Sequence, residues 1–99
     1  MNIEVPVAFQ LRIELQALSN ALVRATSDRL KLLRLAENAL HTVEACALGD
    51  PSLPTRLRGL REALSLDLPV DRVEASSTFR RLAGTIPLPG RTPALAIVR

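Results

Sequence analysis

The stretch VAFQLRIELQALSNALVRATSDRLKLLRLAENALHTVEACAL, residues 7–48, contains neither glycine nor proline. Its apolar residues return every three or four positions: Leu11, Leu15, Leu18, Leu22, Ala25, Leu32, Ala36, Leu40, Val43 and Ala47. That spacing marks an amphipathic helix with one apolar stripe. Extending one helical wheel across the whole stretch places Leu33 with Ala36, Leu40 and Val43 on the stripe. Gln16, Asn20, Arg24, Ser27, Lys31, Arg34, Asn38 and His41 fall opposite.

One place interrupts the pattern. Arg29 sits within the stripe, directly behind Thr26-Ser27-Asp28, a run that can cap a helix N-terminus. The chain therefore either continues as one helix or divides near residues 26–28. With no glycine or proline to make a tight break, the reading adopted is a continuous or merely bent helix over about 7–48. Such a helix would span about 60 Å at 1.5 Å per residue. A compact domain of this length has a radius of gyration of about 13 Å. The stripe would then overhang its own domain and call for a partner.

Outward from that stretch the chain is shorter in rhythm. Residues 2–7, NIEVPV, alternate polar and apolar and suit a short edge strand or an arm leading into the helix, where Pro6 is tolerated in the first turn. Gly49-Asp50-Pro51-Ser52 is a clear stop, with Gly49 suited to a left-handed C-terminal position. A second helix is expected over about 53–66, with Leu53, Leu57, Leu60 and Leu64 on one face, an Arg58–Glu62 pair at i,i+4, and Gly59 weakening it. A third, less regular helix is expected over about 70–83. Val70 and Val73 do not share a face with Phe79 and Leu82, and Ser76-Ser77 is a possible break. The tail, residues 84–99, carries Pro87, Pro89, Gly90 and Pro93 and should be extended, with Ala94–Val98 suited to a short strand. The fold class is mainly α in one small domain spanning residues 1–99.

Composition narrows the function. Phe9 and Phe79 are the only aromatic residues, so the core must be aliphatic and the aromatic platforms used to stack single-stranded bases are missing. Residues 1–50 hold five basic and six acidic side chains, and residues 51–99 hold eight arginines and four acids, which together give the net charge of +3. Cys46 is the sole cysteine, which fits a reducing compartment, and no apolar run is long enough for a membrane span or a secretory leader. A cytoplasmic protein without membrane contact is expected.

Catalytic parts are sparse. Glu37, His41 and Glu44 share one helical face at i, i+4 and i+7, but it is the polar face, and a metal site needs a supporting shell that one solvated face does not provide. His41 and Cys46 are five apart and point in different directions, so they form no thiol–imidazole pair. No catalytic residue, metal ligand or cofactor is assigned. The expected function is a non-enzymatic helical assembly or adaptor protein: a homo-oligomer, a dimer before other states, or a module for a helical partner. Its contact residues would be Leu11, Leu15, Leu18, Leu22, Arg29, Leu33, Ala36, Leu40 and Val43. Arg29 would either fix register or lay its stem along the stripe while its head reaches water or an acid. The alternative is a basic accessory protein that contacts nucleic acid through Arg56, Arg58, Arg61, Arg80 and Arg81. Against it, these arginines are spread around their helices and interleaved with Glu62, Asp67, Asp71 and Glu74.

Overall fold

The computed structural model describes residues 4–87 apart from Ala25 and Ala47, with side chains described from Val7 onward. Four helices follow one another: α1 (Glu4–Leu22), α2 (Arg29–Cys46), α3 (Leu53–Ser65) and α4 (Arg72–Ala83). Among the described residues there is no strand. The chain is mainly α, and the four helices form a bundle. The strand suggested for Ala94–Val98 falls outside the described residues. Of the proposed N-terminal strand, residues 4–7 belong to α1 instead, with Pro6 in its opening turn.

The 7–48 stretch is not one helix. It turns at Val23–Asp28, and α2 starts afresh. Arg24 N–H donates to the Ala21 carbonyl and Ser27 N–H to the Arg24 carbonyl, which closes the end of α1. The Asp28 carboxylate then accepts the Lys31 N–H at 2.8 Å, and its carbonyl accepts the Leu32 N–H. That is a side-chain N-cap, which satisfies an amide the helix itself leaves without a partner. The break also resets the helical phase. Leu32, rather than Leu33, becomes the buried residue, followed by Ala36, Ala39, Leu40 and Val43. With the stretch folded back on itself, no 60 Å helix overhangs the domain, and the overhang no longer argues for a partner.

Polar contacts set the directions. Arg58 near the middle of α3 meets Glu44 late in α2, and Arg29 at the start of α2 reaches Leu64 at the end of α3. The two helices are antiparallel. Arg72 at the start of α4 donates to the Ser27 carbonyl, and Thr85 just beyond α4 accepts from Asp50 N–H, so α4 runs in the same direction as α2. The order is up-down-up-down. α1 packs between α2 and α4, and α2 also packs on α3.

Each turn has its own chemistry. Gly49 has φ +82°, and a Cβ there would lie 3.2 Å from Ile86 Cγ1 and 3.3 Å from Thr85 Oγ1. Glycine is needed both for the left-handed backbone and for room. Asp50 then accepts Ser52 N–H at 2.8 Å and Ser52 Oγ–H at 2.6 Å, folding the chain into α3. α3 ends with Leu68 N–H on the Ala63 carbonyl and Asp67 N–H on the Leu64 carbonyl, while Asp67 takes φ 57°. This is a Schellman-type stop in which aspartate fills the place usual for glycine. Asp71 caps α4 by accepting Glu74 N–H at 3.1 Å, three residues on.

The core is aliphatic as expected. Leu11, Leu15, Leu18, Leu22, Leu32, Leu40, Val43, Leu53 and Leu57 are essentially inaccessible, with Phe79, Leu82 and Ile86 joining them. α4 is continuous through Ser76-Ser77, and its inward face is Ser76, Phe79, Leu82 and Ala83, leaving Val73 outside. The difficulty in reading it came from Ser76. This serine is buried on the stripe, and its hydroxyl donates to the Ser19 carbonyl at 2.8 Å, while Ser19 Oγ donates to the Ser76 carbonyl at 2.9 Å. Two small residues thus let α1 and α4 approach and satisfy both hydroxyls. Replacing Ser76 by Leu, the residue the helical period would favour, should destabilise the fold by about 1–3 kcal/mol through overpacking. Ser76→Ala should cost only about 1 kcal/mol. Urea unfolding of the two variants measures the difference.

Candidate interaction surface

The residues expected to meet a partner are mostly occupied within the chain. Leu11, Leu15, Leu18, Leu22, Ala36, Leu40 and Val43 are at most 2% exposed and touch one another's helices in the core. Leu33 is half-buried against that core. α3 and α4 cover the stripe from within the chain.

Arg29 opens α2. Its Nη1–H donates to the Leu64 carbonyl at 2.8 Å, and its Nε lies 3.7 Å from the Asp67 carboxylate. Its head thus finds a carbonyl and an acid on a neighbouring element. The guanidinium holds the left-handed stop of α3 against the start of α2. Arg72 makes the matching tie from α4 to the Ser27 carbonyl at 3.1 Å. Both ties lie at one end of the bundle, where α1 and α3 finish and α2 and α4 begin.

That same end collects apolar side chains in water. Val23 follows α1, Leu30 is in the first turn of α2, Leu66 and Leu68 follow α3, and Val73 is in the first turn of α4. They are between 50 and 71% exposed. Among the described residues, Phe9 and Ile13, one turn apart on the outer side of α1, are the other large apolar side chains left open. The sequence reading missed this end. A signal was present: Leu30, Leu66, Leu68 and Val73 are apolar residues that fit no stripe, and each stands within a few residues of a helix boundary.

The arginines of the alternative reading have separate surroundings, except that Arg56 and Arg81 both lie near Asp50. Arg58 is bound to Glu44 at 3.2 Å rather than to Glu62. Arg56 Nε–H donates to Ser52 Oγ. Arg61 is half-buried beside Glu62 and Ser65. Arg80 and Arg81 occupy the last turn of α4, where cations complement the helix dipole.

Glu37, His41 and Glu44 are exposed on α2, as their polar face implied. Among the described residues no group of three or more His, Cys, Asp or Glu side chains converges. Cys46 is half-buried, and its thiol donates to the Thr42 carbonyl at 3.0 Å. Among the described residues, no helix is long and apolar enough to cross a membrane. No known protein family matches the chain, and no curated protein or solved structure is detectably similar to it.

Asp50 stands apart electrostatically. The Ser52 hydroxyl and then the Ser52 amide hold its carboxyl below the usual carboxylate range, with Arg56 and Arg81 adding to the effect. A carboxyl lowered in the folded state adds stability above its unfolded pKa and loses it as pH falls through the folded value. Asp50→Asn should therefore lower the melting temperature at pH 7, and the gap to the natural chain should close below about pH 4. Arg29→Lys, which keeps the charge but loses the fixed guanidinium geometry, should cost about 1 kcal/mol. Asp67→Asn should cost less, since that ion pair is open to solvent. Thermal melts across pH and urea titrations read out these effects.

Proposed function

We propose that this chain is a non-enzymatic assembly module that pairs with a second copy of itself through the apolar end of the bundle. The observation that carries the reading is the gathering of Val23, Leu30, Leu66, Leu68 and Val73 at the end fastened by Arg29 and Arg72. Large apolar side chains left open in numbers at one place mark association surfaces more often than free surface. The charges around them have both signs: Arg24 and Lys31 stand exposed there with Asp28, Asp67 and Asp71. A surface of that kind can meet its own copy about a two-fold axis, each base facing an acid. The reading also takes the chain as an adaptor of the cytoplasm, where a single half-buried thiol is at home.

Nucleic-acid binding is the weaker reading. It would need Arg56, Arg58, Arg61, Arg80 and Arg81 to act together. Arg58 is engaged by Glu44, and Arg56 and Arg81 share their surroundings with Asp50.

Light scattering coupled to size exclusion, over a dilution series, tests the pairing. The natural chain should run as a dimer that dissociates on dilution. The variant Leu66→Ser/Val73→Ser should be monomeric at every concentration. Because both residues are exposed, its helical circular dichroism should be unchanged. A natural chain that stays monomeric throughout would remove the proposal.

A further inference from the structure

A cleft of about 270 Å³ opens between α1 and α2, close to the turn that joins them. Ala17, Asn20, Ala21 and Arg24 form one wall, and Lys31 and Leu35 form the other. Ala21 is buried, Ala17 and Leu35 are half-buried, and Asn20, Arg24 and Lys31 are exposed. The cleft therefore has an apolar floor and a polar rim. Among the described residues no carboxylate lines it.

The charges at its rim are gathered against electrostatic preference. Lys31 stands in the first turn of α2, which holds no acid, and the helix dipole opposes a cation at that end. Arg34, three residues on and also exposed, adds a like charge at a neighbouring position. Among the described residues the ion pairs tie Arg29 to Asp67 and Arg58 to Glu44; neither Arg24 nor Lys31 takes part in one. Asp28, the nearest acid in sequence to both, gives its Oδ1 to the Lys31 amide as the cap of α2. Two cations from either side of the turn thus share one concave place whose lining holds no counter-charge.

The donors decide what balances them. Arg24 offers a planar fork of N–H groups, Lys31 an ammonium on a flexible stem, and the Asn20 amide two more N–H donors. That set suits a group with several oxygens and more than one negative charge. A phosphate carries about −1.5 to −2 at pH 7 and three acceptor oxygens. The floor suits an apolar body beside the charged head. We infer that the α1–α2 cleft binds a small phosphate monoester, with the phosphate between Arg24 and Lys31, the Asn20 amide on one of its oxygens, and the apolar body on Ala17, Ala21 and Leu35. In the pairing proposed above, Arg24 and Lys31 face acids of a second copy, so a bound monoester and that copy would exclude each other.

Titration of the full chain with phenyl phosphate, followed by amide NMR at constant ionic strength, tests the site. The chain carries Leu66→Ser and Val73→Ser, so the result is the same whether or not the natural chain pairs. Saturable shifts should appear in residues 17–24 and 31–35. Phenyl phosphate should bind about ten-fold tighter than inorganic phosphate, through the apolar area its ring covers. Arg24→Gln combined with Lys31→Gln, both exposed, should keep the fold and weaken binding at least about ten-fold. Phenol should leave the spectrum unchanged. No saturable shift in those two segments, or a titration unaltered by the double substitution, would overturn the site. Equal affinity for phenyl phosphate and inorganic phosphate would overturn the assignment to a monoester.

Discussion

An apolar stripe running through most of residues 7–48 cannot be left in water, and the structure depends on how it is covered. Breaking the helix at Val23–Asp28 lets Leu11, Leu15, Leu18 and Leu22 lie against Leu32, Ala36, Leu40 and Val43. Each leucine fully buried in this way contributes about 1.5–3 kcal/mol before chain entropy is counted. Two helices leave the stripe half open, and α3 and α4 close it with Leu53, Leu57, Leu60, Leu64, Phe79 and Leu82. The turn chemistry follows from that need. Asp28, Asp50, Asp67 and Asp71 each stand at a place where the chain reverses: Asp28 and Asp71 cap helices, Asp50 folds its turn by accepting from Ser52, and Asp67 takes the left-handed backbone.

Much of the helical content was legible because it is local. The 3.6-residue period, the Gly49-Asp50-Pro51-Ser52 stop and the Leu53/Leu57/Leu60/Leu64 face depend on neighbours in sequence. The break near residue 27 was less legible because Thr26-Ser27-Asp28 is compatible with both outcomes. The decision comes from α3 and α4, which are distant in sequence and make the folded-back hairpin cheaper than an exposed helix. Once the phase is reset at Asp28, Leu32 goes in and Leu30 stays out, a choice that a single uninterrupted wheel cannot make. Ser76 misled for another reason: a small polar residue on a buried stripe looks like a defect until its partner Ser19, fifty-seven positions away, is known.

The candidate surface was the least legible part. Its residues are apolar, lie beside helix ends and obey no common period, because they come from four different elements. Only the antiparallel arrangement, held by Arg29 and Arg72, brings them to one end. The stripe, which the sequence advertises, is spent on the chain's own core. What remains open is the part of the apolar surface that the bundle does not cover.

The Gly49 turn carries one more consequence. It joins α2 to α3, yet the side chains that close over it, Thr85 and Ile86, come after α4. On a growing chain the turn emerges from the ribosome well before the residues that lock it. Until then α1 also lacks Ser76 and Phe79 on its outer flank. The first three helices are thus made before the elements that cover the outer flank of α1 and lock the Gly49 turn. Loss of chain beyond residue 71 would strip cover from α1 and from Gly49 together, so a shortened product would show quality-control proteases an exposed leucine face rather than a smaller version of the same fold.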